Sequence, residues 1–284
     1  MSPARSDGCE LYYEEAGEGV PILLIHPSGS TASTWGSAVD ELARIGRVIT
    51  YDRRGYARSG GEPVRKVSTH TADASALLES LQAPPAIVVG TSSGAMIALD
   101  LAVHRPDLVR AVVEHEGPWR FTRHLPTGPQ VRTFATMGSL VLRGRPGDAA
   151  EALLRSAYAY REGGTAWDAF PAEWRRAGRE NARATLWDFL ITIGNHPSAT
   201  DLATIEVPVV CSHGSRSPDF MVRCTRSLAA AIPTARTHRI EGAAHAAPFD
   251  ATSNFVELIA DTMRDDGRTG ARVGPKRSPT RPGG

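Results

Sequence analysis

The sequence predicts an α/β fold in which a mostly parallel central sheet is flanked by helices. Three observations lead there. Short Val/Ile/Leu-rich runs such as AIVVG and VPVVCS recur along the 284 residues, nearly continuous in apolar character, as strands buried on both faces should be. Helical patterns separate them. One run passes directly into Gly90-Thr91-Ser92-Ser93-Gly94 and then into an amphipathic helical segment, a strand–turn–helix junction.

Taken in order, the expected strands are Leu11 to Glu15, Pro21 to His26, Arg47 to Asp52, Ala86 to Gly90, Val109 to His115, Val207 to His213 and Ala235 to Glu241. Residues 117–206 separate the fifth run from the sixth, whereas a crossover within such a sheet needs only about a dozen residues. Helical stretches are expected there over Asp148 to Arg161, Pro171 to Arg183 and Ala184 to Ile193, with Pro126, Pro129, Pro146, Gly163 and Gly164 as breaks. The expected organisation is therefore a core made of residues 1–116 and 207–266, a helical cap over 117–206, and a disordered tail over 267–284, where Gly, Pro and basic residues dominate.

Composition narrows the function. Lys and Arg total 32 against 31 Asp and Glu, so no general electrostatic attraction to nucleic acid or to a membrane surface is expected. No run approaches the roughly 18 apolar residues of a membrane span, and the N-terminal stretch lacks the apolar segment of a signal peptide, so a cytoplasmic location is expected. Cys9, Cys211 and Cys224 form no CxxC pair and lie beside no histidine at zinc-ligand spacing, which argues for free thiols and against a metal site. The expected partner is a small molecule, with a homodimer left open.

The Gly-x-Ser-x-Gly junction carries chemistry. A sharp turn from strand to helix strains the backbone at the serine and leaves no room for side chains at the flanking positions, so Ser92 Oγ stands clear of the main chain. The free N–H groups of the following helix then face any oxyanion formed there. Upstream, His26-Pro27-Ser28-Gly29-Ser30 follows a strand, where one further N–H is needed. The N–H groups of Ser28 and Ser93 are the candidates. Near the C-terminus, His245 follows the last strand in a Gly-Ala-Ala-His loop, and an imidazole there suits a base that takes the serine proton.

These segments, HPSGS, YDRRGYARSG and GTSSG, together with the histidine after the last strand, resemble the α/β-hydrolase family in order and spacing. The resemblance covers the sheet. It implies a serine hydrolase with no cofactor, in which Asp52, Arg53 and Ser59 are scaffold and His26 packs its loop. In that family the acid partner of the histidine most often lies three residues past the glycine that ends the strand VPVVCSHG; here that position is Ser217. Two carboxylates remain as alternatives. Glu116 ends the preceding strand, at a position from which haloalkane-dehalogenase-like and zearalenone-lactonase-like members draw their acid, and the cap then lies between the strands that the family counts as its sixth and seventh. Asp219 lies in the following loop, where it also fits a helix cap. Glu116 is preferred, and the pattern is most similar to the zearalenone-lactonase-like branch. Proline at position 27, where the family has glycine, makes the geometry of the oxyanion loop a particular question.

The expected activity is cleavage of an ester or lactone of a small, largely apolar substrate through an acyl-enzyme on Ser92. Trp187, nearest the return to the sheet, is the first candidate among Trp167, Trp174 and Trp187 to line the substrate pocket. Amide, thioester and carbon–carbon bond cleavage stay open, as does a non-hydrolytic use of the same pocket by a cyclase, a lyase or a ligand receptor.

Overall fold

A computed structural model describes residues 4–83, 85–120, 123, 128–194 and 196–269. Among the described residues, nine strands form two sheets. A short hairpin, β1 (Ala4–Ser6) with β2 (Cys9–Leu11), turns through Asp7 and Gly8, both at positive φ. The main sheet holds β3 (Tyr13–Ala16), β4 (Pro21–Ile25), β5 (Arg47–Tyr51), β6 (Ala86–Thr91), β7 (Val109–His115), β8 (Val209–Gly214) and β9 (Ala235–Ile240), in the order β3-β5-β4-β6-β7-β8-β9. Only β3 runs antiparallel to its neighbour; every other pair is parallel.

The side-chain period of two divides the core. Leu23, Ile25, Ile49, Val88 and Val112 enter one buried layer, while Ile22, Leu24, Val48, Ile87, Val89 and Val113 enter the other. Helices α2 (Val67–Ser80) and α3 (Ser93–His104) cover the first layer through Leu77, Leu78, Ile97 and Leu101. On the opposite face α1 (Ser37–Leu42) supplies Leu42, and the C-terminal helix, numbered below, supplies Phe255 and Ile259. Both faces are thus sealed, which accounts for the near-continuous apolar character of the central strands.

Between β7 and β8 the described chain is helical: α4 (Pro129–Leu142), α5 (Pro146–Ala157), α6 (Ala172–Glu180), α7 (Ala182–Gly194) and the short α8 (Ala199–Leu202). Helix α4 was not among the expected elements, because Pro129 reads as a break. In the structure Pro129 occupies the first turn, where a missing N–H costs no hydrogen bond. After β8 come α9 (Asp219–Ala229), α10 (Ala247–Asp250) and α11 (Thr252–Thr269). Helix α11 continues past residue 266, so the expected tail is helical over 267–269, and its remainder, 270–284, lies outside the described residues. Among the described residues no helix is long and apolar enough to cross a membrane.

Candidate active site

The carboxyl ends of β4, β6, β7 and β9 converge, and each is followed by one of the residues singled out in the sequence: Ser28, Ser92, Glu116 and His245. Ser92 sits between β6 and α3 at φ 53°, a left-handed conformation that a serine adopts only under constraint. The constraint is visible in the flanking glycines. A Cβ on Gly90 would stand 2.3 Å from Gly94 O, and one on Gly94 would stand 2.2 Å from Ile25 O, both against rigid backbone. Ser92 N–H donates to His115 O at 2.9 Å, so the strained residue remains tied to the neighbouring strand.

Glu116 occupies the equivalent place on β7. Thr91 and His115 are register partners, and the next residue on each strand, Ser92 and Glu116, leaves the ladder at nearly the same positive φ, 53° and 50°. The Glu116 carboxylate is fully buried. Its Oε2 lies 2.8 Å from His245 Nδ1; its Oε1 accepts the Gly214 N–H at 3.1 Å and the Ser217 hydroxyl. Burial alone would push this carboxyl up, but the hydrogen bond to His245, the neighbouring His115 and His245 rings, and the Ser217 hydroxyl outweigh it and hold the group down at about 2. A carboxylate ionised in this way fixes the His245 proton on Nδ1 and leaves the Nε2 lone pair free to accept one.

The loop bearing His245 is held on both sides of residue 244. His115 Nε2 lies 2.9 Å from Ala244 O, and Ala244 N–H donates to Asp250 Oδ2 at 3.0 Å, while Tyr160 donates to Asp250 Oδ1 at 2.8 Å. Burial lowers His115, so its ring is a neutral spacer under the loop.

Ser92, Ser28 and His245 open into one largely apolar cleft of about 700 Å³, part of it open to solvent. Phe134 of α4, Leu153 and Leu154 of α5, Phe189 of α7, and Phe220 and Met221 of α9 line it. Beyond Tyr158, whose ring centroid is 5.4 Å from that of His245, a second hollow of about 430 Å³, also partly open to solvent, runs between Trp167, Phe170, Trp174 and Phe249. The two share Pro27, Tyr158 and His245.

Trp187, expected to line the substrate pocket, faces away from it. It lines neither hollow; its ring is flanked by the guanidinium groups of Arg65 at 4.2 Å and Arg183 at 5.2 Å. One position along α7 the helix turns Asp188 inward, and two positions along it brings Phe189 to the cleft, so proximity in sequence to the sheet did not translate into facing the site. Asp219 also stands away from the histidine. Its side chain is 75% exposed and pairs with Arg161 at 3.3 Å in the first turn of α9, where a carboxylate suits the helix dipole.

The loop after β4, which carries Ser28, is anchored more heavily than the sequence suggested. His26 is buried and pulled down to about 3 by burial and by the charge of Arg53, hence neutral; its Nδ1 faces Pro27 O at 2.8 Å and its Nε2 accepts the Arg53 N–H at 3.0 Å. Gly29 leaves space that Leu154 fills, since a Cβ there would lie 2.6 Å from the leucine methyl. The Ser28 and Ser93 hydroxyls are 2.9 Å apart, and both reach the carboxylate of Asp188.

The sequence profile of the alpha/beta hydrolase family matches residues 22–258. YraK, an uncharacterised hydrolase of Bacillus subtilis (strain 168), is 39% identical over 112 residues, 38% of this chain and 41% of that protein. A zearalenone hydrolase of Bionectria ochroleuca is 32% identical over 125 residues, 42% of this chain and 47% of its own. The chain therefore spans less than half the length of these curated relatives. Among solved structures, the enol-lactonase from Burkholderia xenovorans LB400 superposes with a TM-score of 0.76 at 21% identity, covering 93% of this chain and 100% of its own. Est816, described as an N-acyl homoserine lactone degrading enzyme, superposes with a TM-score of 0.74 at 22% identity, over 92% and 99%. At these identities the likeness is one of fold.

Proposed function

Since the chain belongs to the alpha/beta hydrolase family, we propose that it is a serine hydrolase that cleaves an ester or lactone of a small, largely apolar substrate. The observation that carries the reading is the 2.8 Å contact between His245 Nδ1 and the buried Glu116 carboxylate, at the mouth of a cleft that also receives Ser92. His245 Nε2 takes the Ser92 proton as Oγ attacks the carbonyl, and Glu116 stabilises the imidazolium so formed. The tetrahedral oxyanion rests on the N–H groups of Ser28 and Ser93, each worth on the order of 3 kcal/mol in comparable sites. His245 then protonates the leaving oxygen, and water, deprotonated by the same imidazole, releases the acid and restores Ser92. The helices between β7 and β8 serve as a cap whose aromatic side chains receive the apolar parts of the substrate on either side of Tyr158.

The two lactone-cleaving fold neighbours and the zearalenone hydrolase relative agree with this reading, and the apolar lining of the cleft argues against highly charged substrates. The test is labelling with a fluorophosphonate probe followed by peptide mapping, together with a short-chain p-nitrophenyl ester assay. Probe on Ser92 and a burst of p-nitrophenol lost in Ser92→Ala support the proposal. An intact protein silent to both refutes it.

A further inference from the structure

Asp188 lies on α7, yet it is 1% exposed and reaches the strand ends of the sheet. Its Oδ2 faces Arg53 Nη2 at 2.5 Å, the Tyr56 hydroxyl at 2.8 Å, the Ser28 hydroxyl at 2.9 Å and the Ser93 hydroxyl at 3.2 Å. Arg53 is fully buried as well, and its Nη2 also lies 3.3 Å from Ser93 Oγ. His70 approaches the other carboxylate oxygen at 3.7 Å. Burial would raise the Asp188 carboxyl, but the charge of Arg53 and the His70 ring hold it well below the ordinary carboxylate range, while burial keeps His70 neutral. The cluster is therefore one anion and one cation with no net charge.

Stability is a poor reason for such a pair. Dehydrating two charges consumes most of their attraction, and well-packed apolar residues of the same volume are often as stabilising. A buried carboxylate does something that apolar residues cannot: it is satisfied only when every donor around it is in place. Two of those donors are the hydroxyls of the residues whose N–H groups form the proposed oxyanion site. They come from separate elements, the loop after β4 and the start of α3, and Pro27 deprives the first of an additional backbone donor.

We infer that Asp188 is a positioning residue, which sets the spacing of the Ser28 and Ser93 amides by drawing their hydroxyls to one carboxylate oxygen, with Arg53 cancelling a negative charge that would otherwise oppose the oxyanion. The inference rests on the hydrolase reading above. It assigns to the helical segment between β7 and β8 a part in forming the oxyanion site, in addition to roofing the cleft.

The experiment compares Ser28→Ala, which keeps the amide and removes the hydroxyl, and Asp188→Asn with the parent on a short-chain p-nitrophenyl ester, with fluorophosphonate labelling of Ser92 in each. Misplacing one donor by a fraction of an ångström should lower kcat about 10- to 100-fold. KM should stay within twofold, the pH profile should be unmoved, and labelling should slow in parallel. If Asp188→Asn does not fold, Ser28→Ala decides alone, with thermal melting to show an intact fold. Variants that retain kcat within twofold, or that lose activity only through KM, overturn the inference while leaving a labelled parent a hydrolase. A parent that neither labels nor turns over removes the hydrolase reading and this inference with it.

Discussion

Replacing Glu114 with glutamine should change how stability depends on pH, although the residue takes no part in the proposed chemistry. Glu114 points into the core beneath Glu116, fully buried; its Oε2 accepts the Gly117 N–H at 2.8 Å and the Cys211 thiol lies beside it. Burial, aided by the negative charge of Glu116, outweighs those bonds and pushes the carboxyl up from its ordinary 4.5 to about 8. The folded protein then keeps a proton that the unfolded chain releases above pH 4.5. Between 4.5 and 8 the folded state binds more protons, so stability falls as pH rises. The slope from one such group is about 1.4 kcal/mol per pH unit, an upper limit of roughly 2.5 kcal/mol between pH 5 and 7. Buried neutral histidines, His26, His70 and His115, act in the opposite sense, because burial lowers them and their unfolded forms bind protons below about pH 6.5. They are common to both proteins and cancel in the difference. Urea unfolding of parent and Glu114→Gln at pH 5 and pH 7, followed by circular dichroism with m held equal, should show the parent losing more stability over this interval. Parallel pH curves would mean that Glu114 is ionised in the fold and would refute the reasoning.

Further outcomes follow from the same geometry. Glu116→Gln should lower kcat by about 10²- to 10⁴-fold by releasing the His245 tautomer, whereas Asp219→Ala should stay within twofold of the parent; equal effects in steady-state kinetics would contradict the 2.8 Å assignment. Gly94→Ala drives a methyl against the Ile25 carbonyl and should cost about 3 kcal/mol or prevent folding, so a melting temperature within a degree or two of the parent would sink the steric account. Phe189→Ala should raise KM for an apolar ester roughly tenfold, as expected for losing a buried aromatic contact, while Trp187→Ala should leave KM unchanged.

Much of this arrangement was legible because it is local. The alternation of Leu23 and Leu24, Val88 and Val89, or Val112 and Val113 between two layers follows from period two alone. The glycines around Ser92 announce a turn that tolerates nothing larger. Glu116 could be placed because strand ends, and not strand middles, face the site. Two further local signals lie in the sequence: Asp7-Gly8 is an ordinary hairpin turn, and Pro129 is better placed in a first helical turn than in a break. What could not be read is long-range. Arg53 and Asp188 are 135 residues apart in sequence, and nothing in either segment marks the other. Trp187 and Phe189 differ by two positions on one helix, and only its rotation decides which of them meets the cleft.

Ser217 lies three residues past the glycine that ends β8, and its hydroxyl donates to the Glu116 carboxylate at the end of the neighbouring β7. Two adjacent strand ends therefore address a single point beside His245. A negative group on either strand end would stand beside the same imidazole. Ser217→Asp combined with Glu116→Ser would exchange the two side chains, and His245 would then meet its anion from the end of β8 instead of β7.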